Sequence, residues 1–225
     1  MTPPPPLVSA HRCLTRDAIE AAIALGADYV EIDVQRCADG ELVLHHDPLD
    51  VAAPELLRYE EALGLLAGRA RAHLDLKFHG DEVAAVARAV ERLGTDRLLV
   101  TTGHDEGVRR VRDWADATGH DLMVGLSLGR GVPGFALWQM VTVRVSELWP
   151  EVRYGHSRAN VVVAHHWLAR LRVARFARRQ GLPLLVWTVD TPRSLAYWMR
   201  PGRAWLVTSN EPAVALDLRA GRISA

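Results

Sequence analysis

The chain has 225 residues and a mass of 24.9 kDa, which is long enough for one well-buried core over residues 1–225. Its 49% apolar and 24% charged residues are typical of a folded globular protein, and a net charge of zero argues against nucleic acid as a partner. The proline-rich opening has no signal-peptide pattern and no apolar run reaches the ~18 residues of a membrane span, so we expect a cytoplasmic protein.

Short β-rich apolar runs alternate with helical patterns along the chain. The predicted strands cover residues 7–11, 29–34, 72–76, 97–102, 121–128, 160–165, 183–189 and 204–209. The predicted helices cover residues 16–26, 81–94, 106–119, 168–181 and 192–200. This alternation predicts parallel βαβ units, for which a closed TIM (β/α)8 barrel is the simplest arrangement. A doubly wound open sheet is the alternative, and it is disfavoured because no G-x-G-x-x-G motif follows the first strand.

One segment departs from the alternation. Residues 35–47 have no helical pattern and predict a β-hairpin insertion after the second strand, with its turn at residues 39–40. If the turn holds only these two residues, His46 lies opposite Asp33 and on the same face, whereas His45 faces away. A turn of three residues would reverse this assignment, because a shift of one residue moves every side chain to the other face.

Acidic side chains recur on one face of two neighbouring strands. Glu31 and Asp33 share a face of the second strand, and Asp75 and Lys77 share a face of the next barrel strand. Carboxylates inside a barrel are costly unless they are paired or bound to a metal. Three of them predict a site for one divalent cation, Mg²⁺ or Ca²⁺ rather than zinc. A salt bridge from Lys77 to Asp75 or Glu31 would explain the same residues without a metal.

Two histidines and two basic side chains, of an arginine and a lysine, are expected at the same end of the barrel. The first strand ends at His11, followed by Arg12, and the hairpin brings His46 to the same rim. Lys77 is the only lysine in the chain, which suggests a need for a compact ammonium group at this place. The carboxyl ends of the strands are where TIM barrels carry their active sites, so the combination predicts catalysis.

These segments resemble the glycerophosphodiester phosphodiesterase family. The family pattern H-R-G, G-A-D-x-x-E-x-D-V, D-G-x-x-V-x-x-H-D, E-x-K, V-W-T-V and T-D-x-P corresponds, in order, to His11-Arg12-Cys13, GADYVEIDV (26–34), DGELVLHHDP (39–48), LDLK (74–77), VWTVD (186–190) and TSNEP (208–212). The matches are strongest before residue 77 and weak between about residues 106 and 160.

The resemblance implies a metal-dependent hydrolase that converts glycerophosphodiesters to glycerol 3-phosphate and an alcohol. It assigns metal binding to Glu31, Asp33 and Asp75. It assigns base and acid catalysis to His11 and His46, and substrate binding to Arg12, Lys77 and Trp187. The expected partner is therefore a small-molecule phosphodiester or a lysophospholipid.

Several residues depart from the family pattern. Cys13 replaces the glycine of H-R-G, the E-N-T segment that follows it in the family is missing, and Asp75 replaces the usual glutamate. With these departures and the compact spacing of the site, the chain is also similar to sphingomyelinase D-type phospholipases. This second resemblance implies a cyclic phosphate product as the alternative. The two cysteines, Cys13 and Cys37, are too few for a disulfide scaffold and favour a reducing compartment, although a bridge between them stays open.

The sequence allows three further interpretations besides a phosphodiesterase in solution. A zinc-dependent amidohydrolase is disfavoured because it needs H-x-H after the first strand. A non-catalytic phosphate or head-group binder stays open, although binding alone would not require two histidines. The arginine-rich segment 168–180 and the apolar segment 133–149 would suit peripheral contact with an anionic membrane, but buried helix faces explain both equally well. The sequence does not determine the oligomeric state.

Overall fold

The computed structural model describes residues 3–129 and 149–223. The strands in this part of the chain are β1 (Leu7–Ala10), β2 (Tyr29–Arg36), β3 (Leu42–Leu44), β4 (Arg71–Leu76), β5 (Leu98–Thr102), β6 (Met123–Leu128), β7 (Val161–His165), β8 (Leu184–Trp187) and β9 (Leu206–Ser209). All except β3 pair in parallel, in the order β1-β9-β8-β7-β6-β5-β4-β2, and β2 pairs with β1 to close the ring. The predicted TIM barrel is confirmed, and the open sheet is excluded.

The helices lie between the barrel strands. They are α1 (Arg16–Leu25), α2 (Tyr59–Leu66), α3 (Glu82–Leu93), α4 (Asp105–Thr118), α5 (Pro150–Ser157), α7 (Pro192–Trp198) and α8 (Pro212–Arg219). The segment α6 runs through His166–Leu168, a π-helical turn at Ala169–Val173, and Ala174–Gln180, and a 3-10 turn at Thr95–Arg97 precedes β5. The predicted helices correspond to α1, α3, α4, α6 and α7, whereas α2, α5 and α8 were not predicted.

Polar side chains begin the helices that follow β1 and β8. The hydroxyl of Thr15 accepts a hydrogen bond from the Ala18 amide at 3.2 Å at the start of α1. Thr191 does the same for the Ser194 amide at 3.3 Å, and Pro192 occupies the first turn of α7. Such caps satisfy amides that have no partner inside the helix, so the starts of α1 and α7 are defined locally.

The hairpin after β2 is present, but its register differs from the prediction. Val34 pairs with Leu44 and Arg36 pairs with Leu42, so the turn holds three residues, 38–40, rather than two. The Glu41 amide donates to Oδ1 of Asp39 at 3.0 Å, and Gly40 has φ +90°. A glycine in this left-handed conformation is usual in three-residue hairpin loops. The predicted opposition of Asp33 and His46 is therefore wrong.

Two apolar layers enclose the strands. Side chains such as Val30, Ile32 and Val34 point outward and pack under the helices. The interior of the barrel is filled by an apolar floor of Tyr29, Leu99, Val161, Val163, Leu185 and Leu206. At Gly125, an added Cβ would lie 2.4 Å from a methyl of Val163, so only glycine fits there. The polar residues described below lie on strands of this same barrel, above a floor that excludes water.

Both cysteines are buried free thiols. No disulfide joins Cys13 and Cys37, and burial raises the pKa of Cys13 to about 12, with the charge of Glu31 acting in the same direction. A thiol with so high a pKa stays protonated near neutral pH and is a poor nucleophile. Cys13 therefore serves as a small packing residue.

Within the described residues, none of the helices combines the length and apolar character needed to cross a bilayer. Most of the apolar segment 133–149 lies outside the described residues. In α6, the guanidinium of Arg170 stacks on the ring of Tyr197 at 4.7 Å, and that of Arg172 stacks on Trp149 at 5.0 Å. Contact with a membrane and a cytoplasmic location stay predictions.

Candidate active site

Three carboxylates converge inside the barrel. Glu31 and Asp33 extend from β2 and Asp75 extends from β4, and all three side chains are buried. One oxygen from each lies within 4.8 Å of the others. Asp33 and Asp75 are direct partners in the parallel register of β2 and β4, so the sheet itself places them side by side. The predicted face of these residues is thus the one that the structure shows.

Two basic side chains neutralise part of this cluster. Lys77 donates a hydrogen bond to Oδ2 of Asp75 at 2.6 Å, and its Nζ lies 2.9 Å from Oδ1 of Asp33. Nε of Arg12 lies 3.6 Å from Oδ2 of Asp33. The predicted pairing of Lys77 with Asp75 is present, and its second partner is Asp33 rather than Glu31. With every group ionised, the three carboxylates outnumber by one the two basic side chains that the described part of the chain places beside them.

Burial and the proximity of the carboxylates to one another perturb the pKa of Glu31. Burial raises the pKa of Glu31 well above its usual range, and the charges of Asp33 and Asp75 add to the increase. Among the described residues, neither oxygen of Asp33 accepts a hydrogen bond of good geometry, although both are fully buried. Buried oxygens that lack such partners are costly. A hard divalent cation coordinated by three carboxylates would relieve both problems, so the residues fit Mg²⁺ or Ca²⁺.

A chain of hydrogen bonds holds Asp75 from the opposite side. The Thr101 hydroxyl donates to Oδ1 of Asp75 at 2.9 Å, so its oxygen accepts from Nε2 of His73 at 3.0 Å. The other ring nitrogen of His73 lies 3.2 Å from the hydroxyl of Ser9. Because an ionised carboxylate can only accept, the Thr101 hydroxyl and Nε2 of His73 are the donors in this chain. His73 thus supports the cluster from below.

The turn after β1 presents main-chain groups to Glu31. Arg12 has φ +54°, and its amide donates to Oε2 of Glu31. The amide of Cys13 donates to the Glu31 main-chain oxygen at 2.9 Å. The left-handed residue of the turn is therefore Arg12 and not Cys13, which explains how a cysteine can stand where the family pattern has glycine. A left-handed backbone at a residue with a side chain costs roughly 1 kcal/mol.

His11 lies at the end of β1 and is partly buried. Its Nδ1 is 2.8 Å from Oδ1 of Asn210, the residue that follows β9. Burial lowers the pKa of His11, and the positive charges of Arg12 and Lys77 act in the same direction against the opposing influence of Asn210 and Asp33. A neutral imidazole near pH 7 is the form that can accept a proton.

His46 lies just beyond β3, beside His45, and both side chains are partly exposed. Nδ1 of His46 is 2.8 Å from Oδ1 of Asp47, and this hydrogen bond is the main reason that the pKa of Asp47 is lowered. The His45 amide donates to the main-chain oxygen of Asp33 at 3.1 Å, and its own Nδ1 lies 2.9 Å from the main-chain oxygen of Asp47. The hairpin register does not select His46, which rests on the family resemblance alone.

Trp187 ends β8 at the same rim. Its ring meets the ring of His165 edge to face, with centroids 5.4 Å apart. The indole nitrogen Nε1 is buried and has no hydrogen-bond partner among the described residues. A buried donor without a partner at this rim suits an oxygen of a bound substrate.

Asp190 and Asn210 were not predicted as site residues. Asn210 contacts His11 and also donates from Nδ2 to Oδ2 of Asp190 at 2.7 Å. Asp190 follows β8 and Asn210 follows β9, and they lie in the two segments that resemble family motifs, VWTVD and TSNEP. Their position at strand ends was therefore visible in the sequence, but their hydrogen bonds depend on the closure of the barrel between β9 and β1.

Comparison with known proteins supports the same family. Residues 12–59 match the model of the glycerophosphoryl diester phosphodiesterase family. No curated protein sequence matches the chain significantly. These 48 residues include Glu31, Asp33 and His46, and the described barrel places the first two together.

Solved structures with this fold cover nearly the whole chain. A glycerophosphodiester phosphodiesterase from Parabacteroides distasonis is 16% identical, with a TM-score of 0.73 over 98% of this chain and 99% of its own. One from Agrobacterium tumefaciens is 18% identical, with a TM-score of 0.71 over 98% and 100%. An Oleispira antarctica phosphodiesterase in complex with the product sn-glycerol-3-phosphate is 18% identical, with a TM-score of 0.70 over 95% and 96%.

The structural likeness shows the shared barrel, and the match at residues 12–59 adds the family's own motifs. The predicted resemblance to the glycerophosphodiester phosphodiesterase family is thereby confirmed over residues 12–59.

Proposed function

We propose that this chain hydrolyses glycerophosphodiesters to glycerol 3-phosphate and an alcohol, and that the reaction depends on one divalent cation. The observation that carries the proposal is the buried cluster of three carboxylates inside the barrel, in which neither oxygen of Asp33 accepts a hydrogen bond from the described residues. The family match supports the reaction class, and the product bound in the Oleispira antarctica enzyme supports the substrate class.

The cation would be held by Glu31, Asp33 and Asp75. When bound, it supplies a Lewis acid that polarises a phosphoryl oxygen. Its two positive charges would change the net charge of the cluster from one negative to one positive. A phosphodiester carries a single negative charge, so the charge of the loaded cluster would be equal in magnitude and opposite in sign to that of the substrate.

Lys77, Arg12 and Trp187 are the proposed substrate-binding residues. The ammonium of Lys77 is fixed by two aspartates and contributes a nearly buried positive charge. The guanidinium of Arg12 is about half exposed, which leaves N–H groups for the phosphodiester. The indole N–H of Trp187 is the further donor, for a glycerol or phosphoryl oxygen.

His11 is the proposed general base. Its pKa is lowered mainly by burial, so it is neutral when it receives the proton of the attacking hydroxyl. Because its Nδ1 faces the carbonyl oxygen of Asn210, Nε2 is the nitrogen that takes this proton.

His46 is the proposed general acid, which gives a proton to the leaving alcohol. Its Nδ1 faces the carboxylate of Asp47, whereas His11 faces a neutral amide. A carboxylate stabilises the positive charge of a protonated imidazole, which an acid needs before it acts. The different partners of the two histidines thus favour this division of roles.

Phosphorus NMR of the purified protein tests the proposal. With glycerophosphocholine we expect release of glycerol 3-phosphate in Mg²⁺ or Ca²⁺ and none in EDTA. A cyclic phosphate from lysophosphatidylcholine would instead assign the protein to the phospholipase D-like reaction. Binding of either compound without turnover would contradict an enzyme and support a binding barrel.

A matched pair of variants tests the acid. We expect His46→Ala to lower the rate at least ~10²-fold, the usual contribution of a positioned proton donor. His45→Ala removes the neighbouring ring, whose Nδ1 faces a main-chain oxygen, and is expected to leave the rate unchanged. The reverse result would transfer the acid role to His45.

A further inference from the structure

Three polar residues lie in a row where β8 and β9 meet β1. Oδ2 of Asp190 accepts from Nδ2 of Asn210 at 2.7 Å, and Oδ1 of Asn210 lies 2.8 Å from Nδ1 of His11. Asp190 is further held by the Asn210 amide at 2.9 Å and by the Ser209 hydroxyl at 3.3 Å, both on its Oδ1. The carboxylate thus receives three hydrogen bonds from two adjacent residues.

This row has a fixed direction of hydrogen-bond donation. An ionised carboxylate can only accept, so the side-chain atom of Asn210 that faces Asp190 must be its NH₂ group. The carbonyl oxygen of the same amide then faces His11. A reversed amide would set its oxygen against the carboxylate and its NH₂ against the ring, and the first of these contacts is repulsive. The nitrogen of His11 that faces Asn210 must therefore carry a hydrogen.

We propose that Asp190 and Asn210 are positioning residues that hold neutral His11 in the tautomer with hydrogen on Nδ1 and the lone pair on Nε2. The tautomer itself follows from the hydrogen bonds above. Its consequence for catalysis rests on the proposed function, in which Nε2 of His11 accepts a proton. Without the row, the ring could carry its hydrogen on Nε2, and this nitrogen could then no longer act as a base.

The amide between the carboxylate and the histidine has a second effect. A carboxylate in direct contact with Nδ1 would favour the charged imidazolium, as expected for an acid. The interposed Asn210 transmits the orientation of Asp190 but carries no charge of its own. The ring of His11 is thus oriented without being stabilised in its protonated form, which suits a base.

Long-range ¹H–¹⁵N NMR of the histidine side chains, recorded above pH 7 on the full chain without substrate, measures the tautomer directly. We expect His11 to show one protonated nitrogen, Nδ1. Asn210→Ala removes the acceptor and is expected to abolish this single form. Glu211→Gln changes an exposed neighbouring carboxylate outside the row and is the matched control, which should leave the His11 signals unchanged.

Kinetics separate positioning from general structural damage. We expect Asn210→Ala to lower kcat by roughly 10–100-fold, as is usual for residues that orient catalytic ligands, with little change in KM. Asn210→Asp keeps an acceptor for Nδ1 and is expected to retain the Nδ1–H form, but because its carboxylate favours the imidazolium, kcat should recover only in part and the acidic limb of its pH profile should lie at higher pH than in the wild type.

Two results would overturn the proposal: a wild-type His11 with hydrogen on Nε2, or an Asn210→Ala variant that keeps the Nδ1–H form. The wild-type spectrum alone decides the first, even if a variant fails to fold. Because the spectra need no turnover, a protein with the expected tautomer but no phosphodiesterase activity would refute the proposed function and leave the positioning role intact.

Discussion

Asp33→Asn should remove most of the stabilisation of the protein by divalent cations. The substitution keeps the shape of a fully buried side chain and removes one of the three negative charges. A cation present at 100 times its dissociation constant stabilises the native state by about 2.7 kcal/mol. For a chain of this size, each 1 kcal/mol shifts Tm by roughly 2–4 °C, so the wild-type Tm should rise by about 5–11 °C.

The same arithmetic gives the expected response of the variant. If the lost ligand weakens binding by about 100-fold, the same concentration of cation contributes about 0.4 kcal/mol, which is a shift of roughly 1–2 °C. Differential scanning calorimetry in EDTA, Mg²⁺ and Ca²⁺ measures both responses. Asp121→Asn, at an exposed residue, should respond like the wild type. An equal rise for Asp33→Asn, or no rise for the wild type, would refute the assignment of the metal site.

Three further predictions address the stability and the pH dependence of the barrel. Lys77→Met removes the ammonium from beside two buried aspartates, so the free energy of unfolding, measured by urea denaturation in EDTA, should fall by about 3 kcal/mol. An unchanged free energy of unfolding would mean that these ion pairs are already solvated. Gly125→Ala should destabilise the protein by about 1–3 kcal/mol because its Cβ would meet a valine methyl at 2.4 Å. The control is Gly155→Ala on helix α5, where an added Cβ would meet no atom within 4 Å, and this substitution should stabilise the protein slightly. Similar effects of the two substitutions on stability would contradict the close packing at Gly125. Because the pKa of His11 is lowered from 6.5, the acidic limb of kcat/KM should lie below pH 6.5. The unfolded chain binds this proton first, so the contribution of His11 to stability is full above pH 6.5 and falls as the pH decreases toward the folded pKa. A limb above pH 6.5 would exclude His11 as the base.

Strand parity predicted the centre of the site from sequence alone. Glu31 and Asp33 alternate with Val30 and Ile32, and this period of two fixes which side chains face the interior of a barrel. The parity is robust because a shift of one residue would bury two acids under the helices. The approach of Asp75 followed from the same rule on the neighbouring strand.

The hairpin shows where such reasoning fails. Asp39-Gly40 is a common two-residue turn, but here the side chain of Asp39 accepts from the Glu41 amide and the turn extends to three residues. The choice between these loops depends on local hydrogen bonds, which composition does not show. One extra residue in the turn reverses the face of everything after it, and so the register could not select His46.

The contact between Asn210 and His11 could not be predicted for a different reason. The two residues are 199 positions apart, and they meet only because β9 pairs with β1 to close the barrel. Sequence patterns thus predict faces within an element better than contacts between elements.

The pairing of Asp33 with Asp75 has a consequence for the size of the ion that the site admits. Neighbouring strands lie about 4.8 Å apart, and two short side chains on directly paired positions have little freedom to change their separation. The barrel backbone therefore determines how far apart two of the three proposed ligands stand. Glu31, with one more methylene group, is the proposed ligand that can adjust. A larger ion such as Ca²⁺, with its longer and less regular bonds, would be accommodated by this one side chain and by water, whereas the aspartates would keep the spacing of the sheet.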